Sequence, residues 1–288
     1  MKKLESHIVP EKTEEQRLSD YVVGIFETIT SKKGMKKAIT SGRVKINGEV
    51  GHTANYIRGG ECIELFESKL KKTVKINLNL NVVYEDEYLA IVHKPAGIVV
   101  SGNKKRTILN ALSSNLNQSS IIDKLPRPEP IHRLDHPTSG ALLIGKTRKA
   151  VTALNLLFEH RKIEKTYHAI TIGKMKKKGT IESAIKEKGA ATHFQVIDKI
   201  KSDKYNGLNL VELKPITGRR HQLRIHMSEL GNQILGDMEY GKEKFKSKGS
   251  GLFLHASSLK FTHPFEEKEL DIKIELPQKF TKIFPEKE

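Results

Sequence analysis

The stretch "HRLDHPTSGALLIG", residues 132–145, joins two kinds of chain. Its second half, "ALLIG", is the short apolar run of a buried strand. Its first half gathers two imidazoles, an arginine, an aspartate and two hydroxyls, with Pro137, Ser139 and Gly140 marking irregular backbone. Asp135 therefore sits on a loop feeding a buried strand, and loops held by a rigid sheet are where reactive groups are usually presented. An aspartate in that place also serves as a turn or cap residue, and the local sequence leaves both roles open.

Outward from this strand, short strand-like segments dominate residues 80–288: "NVVYEDEYLAIVHKP", "KTYHAITIG", "NLVELKPITG" and "FLHASSLKFTHP". One amphipathic helix lies among them, "RKAVTALNLLFEHRK", with Val151, Leu154, Leu157 and Phe158 on a shared face. Strands in series with helices inserted irregularly predict an α+β unit built on a mixed, largely antiparallel sheet, not regular βαβ winding.

A smaller α+β unit precedes it, over residues 13–75. Leu18, Val22, Ile25 and Phe26 have helical spacing. A second helix follows, with Ser31 as N-cap and Gly42 as its stop. Asn47-Gly48 then marks a hairpin. The second helix carries Lys32, Lys33, Lys36 and Lys37, with Arg43 and Lys45 just beyond. Lys33, Lys36 and Lys37 share a face, where like charges repel, and a face that tracks phosphates explains their tolerance better than an ordinary solvated one. Gly34, inside this helix, costs about 1 kcal/mol against alanine.

The formal net charge is +17, which favours a polyanionic partner. Tryptophan is absent and aromatics make up 6% of the chain, which argues against an extended stacking platform for single strands. One cysteine, Cys62, excludes an internal disulfide. No apolar run is long enough to span a bilayer and the N-terminus has no signal-peptide pattern, so the expectation is a cytoplasmic protein. There is no glycine-rich phosphate cradle, no metal-binding histidine pair and no nucleophile elbow; no cofactor and no metal are expected.

Two further segments bear on chemistry. In "KPITGRRHQLRIHMSELGNQILGD" a short helix starts near His221 and ends at Gly231, with Leu223, Met227 and Leu230 as its apolar stripe. Arg224 lies one residue off that stripe, and a guanidinium there needs a carboxylate partner, for which Asp135 is the natural candidate. Such a pairing would keep Asp135 ionised despite burial. In "EKTYHAITIG" alternation puts Tyr167 and Ala169 on one strand face, leaving space before the ring for a planar base, or for core packing.

Together these segments resemble the RNA pseudouridine synthases of the RluA/RluD type. The hallmark "HRLD", two variable residues, then "TSG" is complete. "KPAG", the Lys-x-Tyr of "KTYHA", "TGRRHQLRIH", "ILGDMEYG" and "LHASSLKFTHP" follow in family order across residues 80–278. The first unit resembles the alpha-L RNA-binding domain, through "RLSDYV", "SKKGMKKAITSGRVKINGE" and "IRGGECIEL". The resemblance implies an isomerase that converts uridine to pseudouridine by glycosidic cleavage, uracil rotation and re-attachment through carbon 5. It implies Asp135 as the essential carboxylate, Tyr167 stacked on the uracil, Arg224 paired with Asp135, and Arg133 entering the RNA stack after base flipping. His132 is assigned to hydrogen bonding and RNA contact. The expected partner is RNA, with large-subunit ribosomal RNA before transfer RNA, acted on by a monomer away from membranes.

Two other classes remain in play. One is an RNA-binding ribosome-assembly factor with an inactive pocket, against which the intact Asp135, Tyr167 and Arg224 argue. The other is a retaining glycosidase, which needs a second carboxylate about 5 Å from the first. Asp237 and Glu239 lie near a motif but without a matching role.

Overall fold

The computed structural model describes residues 2–29, 31–67, 76–245, 249 and 251–285. The link read at "SKLKKTVKINLNL" falls largely outside them. The chain divides into two compact units, residues 1–73 and 74–288.

The first unit runs β1 (Lys3–Ile8), β2 (Gln16–Arg17), α1 (Leu18–Tyr21), α2 (Lys32–Thr40), β3 (Val44–Ile46), β4 (Glu49–Val50), β5 (Tyr56–Ile57) and β6 (Cys62–Phe66). Four strands form a sheet in the order β1-β6-β3-β4, and β2 pairs with β5. Strand β1 lies ahead of the residue-13 start read from the sequence and pairs antiparallel with β6. Helix α2 begins behind Ser31, whose Oγ accepts the Gly34 N–H at 3.2 Å. Any Cβ at Gly34 would lie 2.8 Å from Ile29 Cγ2 and 2.9 Å from Ser31 Oγ, so the poor helix former is what lets this cap close. Asn47 and Gly48 both have positive φ, 49° and 87°, as a two-residue hairpin turn requires. The first helix is shorter than its spacing predicts. It is a single turn, yet Leu18, Val22 and Phe26 all reach the core through the turns that follow.

The second unit comprises β7 (Asn81–Glu85), β8 (Leu89–Lys94), α3 (Ile108–Asn115), β9 (Lys124–Pro130), β10 (Ser139–Thr147), α4 (Arg148–Glu159), β11 (Glu164–Ile172), β12 (Lys178–Glu182), β13 (Ala191–Ile200), β14 (Leu208–Pro215), α5 (Gln222–Glu229), β15 (Leu254–Thr262), β16 (Glu269–Lys273) and α6 (Gln278–Thr281). One ten-stranded sheet runs β12-β13-β14-β11-β15-β10-β8-β7, with β16 on β15 and β9 on β10. Its pairings among the described residues are antiparallel except β10 with β15. The fold is thus α+β on a mixed, largely antiparallel sheet.

The opening stretch explains why β10 is apolar without alternation. Leu142 and Ile144 pack on one face with Ile108, Ala111 and Leu112 of α3. Ala141 and Leu143 pack on the other with Ala150 and Leu154 of α4. Both faces are covered, so all nine residues of the strand are buried. Gly140 has φ +119°, and a Cβ there would sit 2.1 Å from the carbonyl oxygen of Ala256. Its bareness brings β10 against β15 directly after the Asp135 loop.

The same region buries uncharged imidazoles. His255 is fully buried, with Nδ1 2.9 Å from Ser139 Oγ. Burial first, then the charges of His93 and His168, push its pKa from 6.5 down to about 3. The unfolded chain therefore binds a proton that the folded chain refuses between those values, and stability falls as pH drops through that window. Burial depresses His93 and His168 as well, in the same sense. Urea denaturation between pH 7 and pH 5 should show progressive loss of stability, with a shallower loss in His255→Gln.

Candidate active site

The Asp135 loop is held from three sides. Lys94, at the end of β8 and wholly buried, donates from Nζ to the carbonyls of Pro95 at 2.9 Å, His136 at 3.3 Å and Thr138 at 2.7 Å. Burial lowers its pKa to about 8, with Asp135 pulling the other way. The Gly97 N–H donates to the His136 carbonyl at 2.8 Å. "KPAG" is thus the staple of the "HRLD" loop. On the opposite flank the Leu143 N–H donates to His132 Nε2 at 3.0 Å. The His132 ring lies 4.9 Å from that of Phe158.

Asp135 is 17% exposed at its side chain. Arg224 is the buried cation expected beside it, but its chief partner is another residue. Nε and Nη2 donate to the two carboxylate oxygens of Asp237 at 2.8 and 2.7 Å, a bidentate pair. Nη1 is left facing Asp135 Oδ2 at 3.9 Å, and Nη2 also lies 3.2 Å from Glu239. Burial works against the charge of Asp237, but the Arg224 hydrogen bonds and the N–H groups of Tyr240 and Glu239 outweigh it and lower its pKa. Asp237 is therefore spent on Arg224 and the following turn, which removes it as a free second carboxylate for glycosidase chemistry.

A residue of weaker sequence signal stands nearer to Asp135. His221 Nε2 lies 3.6 Å from Asp135 Oδ1, while Nδ1 is 2.8 Å from Tyr240 Oη and 3.4 Å from Glu239 Oε1. The His221 backbone is left-handed, φ +58°, at the start of α5. A non-glycine residue in that region is strained, and such strain gathers at functional sites. Gln222 fixes the turn before it, accepting from the Arg219 N–H at 3.0 Å and the Thr217 hydroxyl at 2.6 Å. The stripe behind α5 is shorter than predicted. Leu223 and Met227 are buried and Leu230 is exposed.

Asp135 opens on a cavity of about 420 Å³ that Tyr167, Leu254 and Thr217 also line. That is within the range of small-ligand sites. Burial and then the Asp135 charge push the Tyr167 pKa upward, so the phenol stays protonated. A second opening on the other side of Asp135 is lined by Val99, Pro137, Met238 and Glu239. Arg133 is exposed and lines both. Asp135, Tyr167, Arg224, Arg133 and His132 are therefore together, although His132 has its Nε2 committed to the backbone.

In the first unit Lys33, Lys36 and Lys37 are exposed. Lys32 pairs with Asp20 at 2.7 Å. Arg43 donates from Nε to the Phe66 carbonyl at 3.0 Å, and Lys45 Nζ lies 5.2 Å from the centre of the Phe66 ring. Among the described residues, Asp86, His263 and Glu266 have metal-ligand spacing. His263 Nδ1, however, accepts the N–H groups of Phe265 and Glu266 at 3.2 and 3.0 Å. Nε2 faces Asp86 at 3.1 Å outside hydrogen-bond geometry, and with Nδ1 held by the backbone the cluster is a structural corner.

A carboxylate flanked by guanidinium and imidazole thus opens on a cavity walled by a neutral tyrosine, an arrangement suited to a ligand with a planar ring. Comparison with known proteins agrees. Residues 88–229 match the family described as RNA pseudouridylate synthase. An uncharacterized RNA pseudouridine synthase of Aquifex aeolicus is 33% identical over 94% of this chain and 93% of its own. Ribosomal large subunit pseudouridine synthase D of Buchnera aphidicola is 34% identical over 86% and 87%. The tRNA pseudouridine synthase C of Vibrio parahaemolyticus is 32% identical over 72% and 94%. In structure, human RNA pseudouridylate synthase domain containing 1 aligns with a TM-score of 0.58 at 25% identity, over 70% of this chain and 84% of that one. The chain belongs to the RNA pseudouridine synthase family, and the likeness to the D-type enzyme places it with the RluA/RluD type.

The Arg224–Asp237 pair yields a test of stability. Removing one partner of a buried ion pair typically costs about 3–5 kcal/mol, so Asp237→Asn should unfold at clearly lower urea concentration at pH 7. The Asp237 pKa is lowered in the folded state from its usual 3.8. Its contribution is therefore present above that value and lost as pH falls through the folded one. The gap between variant and wild type should narrow in acid below about pH 4.

Proposed function

We propose that this protein converts uridine to pseudouridine in structured RNA with Asp135 as the reacting carboxylate, and that its substrate is large-subunit ribosomal RNA. The observation that carries the reading is the shielded Asp135, held between Arg224 and His221 at the mouth of the Tyr167 cavity. A uridine in a stem must leave its stack, at a cost of a few kcal/mol. Stacking on Tyr167 returns about 1–3 kcal/mol. Arg133, exposed at the cavity mouth, fills the vacated space. Asp135 then attacks the anomeric carbon or removes the 2′ proton, releasing uracil from its N1–C1′ bond. The uracil turns and C5 bonds to C1′, as the Asp135–C1′ ester breaks or the proton held by Asp135 returns to C2′; C5 then loses its proton and N1 gains one, so atoms balance with no redox change. Arg224, fixed by Asp237, faces the Asp135 carboxylate at 3.9 Å. Because Tyr167 stays protonated, it acts as a stacking wall and hydrogen-bond donor before it acts as a base.

The ribosomal target is supported by the D-type relatives, which are named for the large ribosomal subunit, with the transfer-RNA enzyme as the second reading. We assign the first unit to RNA binding as an alpha-L domain, on its motifs and on the exposed Lys33, Lys36 and Lys37. Lys32 and Arg43 contribute less, being engaged within the unit.

RNA transcripts tritiated at uracil C5 test the chemistry. Wild type should release tritium and Asp135→Asn should release none above background. Equal release by both would remove Asp135 from the reaction. Replacing Lys33, Lys36 and Lys37 together by glutamine should weaken binding to ribosomal RNA and flatten its salt dependence, each lost phosphate contact lowering the log–log slope by roughly 0.7–0.9. An unchanged slope would reduce that face to a solubility feature.

A further inference from the structure

Alternation along β11 places Lys165 on the same face as Tyr167, and both line the cavity onto which Asp135 opens. Lys165 is half-buried, and its company is unusual for an ammonium. Nζ lies 5.8 Å from the centre of the Phe158 ring, and no carboxylate pairs with it among the described residues. Burial, and then the positive charge of Arg161, push its pKa down. Lys165 in turn is the second cause, after burial, of the depressed pKa of His132.

The other shielded lysines of this unit are compensated. Lys146 reaches Glu85 at 2.7 Å, and Lys94 has its three carbonyls. A shielded charge without a partner costs free energy. Here it is kept at the wall of the one cavity where Asp135 and Tyr167 meet, and it is completed only by an anion from outside. An RNA substrate carries that anion on every nucleotide. Two residues along a strand span about 7 Å. A nucleotide whose base stacks on Tyr167 therefore has its sugar–phosphate chain within reach of the Lys165 side chain.

Resting on the pseudouridine reading above, we propose that Lys165 is a substrate-binding residue that grips a phosphodiester beside the flipped uridine. It completes the site electrostatically only when RNA is seated. Phe158 supports the lysine stem, and the cation–π contact holds the ammonium until the phosphate replaces it.

Lys165→Met keeps the stem and removes the charge, Lys165→Gln guards against a packing artefact, and Lys165→Arg restores the charge. The probe is unmodified large-subunit ribosomal RNA made by transcription and tritiated at uracil C5. For Met and Gln the slope of log affinity against log salt should fall by roughly 0.7–0.9, one phosphate contact, and KM should rise by more than kcat falls. Arg should recover the slope. An unchanged slope overturns the proposal, whether activity is kept or lost; lost single-turnover rate with unchanged slope would put the charge on the departing uracil. Tritium release by wild type, absent in Asp135→Asn, judges the underlying reading separately. If wild type releases none from ribosomal or transfer RNA, that reading fails, while the salt slope still decides whether Lys165 holds a phosphate.

Discussion

One guanidinium shared unequally between two carboxylates organises the catalytic unit. Arg224 spends Nε and Nη2 on Asp237 and keeps Nη1 toward Asp135, 3.9 Å away. The unequal sharing matters. A bidentate clamp fixes the plane of the guanidinium, so its remaining edge is presented at a set angle instead of folding onto Asp135 and closing its oxygens to substrate. Arg224 and Asp237 side chains are 5% and 1% exposed, so neither can drift without leaving a bare charge in the interior. The longer contact leaves Asp135 Oδ2 free of a hydrogen bond to Arg224. His221, at 3.6 Å on the other oxygen, closes the second side.

The loop and the buried strand were readable from "HRLDHPTSGALLIG" because their causes are local. Proline and glycine fix irregular backbone, and an unbroken apolar run needs cover on both faces, which α3 and α4 provide. Asp237, Lys94 and His221 were not readable in their roles, because those roles are set by sheet order and backbone conformation. Lys94 meets the Asp135 loop only because β8 lies beside β10. His221 meets Asp135 only through a left-handed backbone that nothing in "GRRHQLR" announces. The available signal was "ILGD", in which an aspartate follows a glycine with positive φ, and spacing alone assigned it no partner.

Charge patterning in the first unit shows the same division. Periodicity put Lys33, Lys36 and Lys37 on one open face, and they lie there. It could not show that Lys32 closes on Asp20 or that Arg43 caps the end of β6 through the Phe66 carbonyl. Those are contacts between separate segments, and they engage Lys32 and Arg43 within the unit. The first helix failed for a related reason. Leu18, Val22 and Phe26 satisfy a helical stripe, but tertiary burial needs only that they point inward, which a single helical turn and the turns after it accomplish.

The catalytic cavity carries this logic furthest. Asp135 is the one acid among the residues that line it, against Arg133, Lys165, Arg219, Arg220 and Arg224. Such a surplus raises the local concentration of a phosphate chain and would, unopposed, repel itself. The cations differ in how that repulsion is met. Arg224 is neutralised inside the protein, Arg133, Arg219 and Arg220 reach water, and Lys165 alone is shielded without a counter-charge. The imidazole beside it, His132, answers by remaining uncharged. On the reading proposed above, a phosphate chain relieves that repulsion at the wall, while Asp135 at the cavity mouth faces the nucleoside.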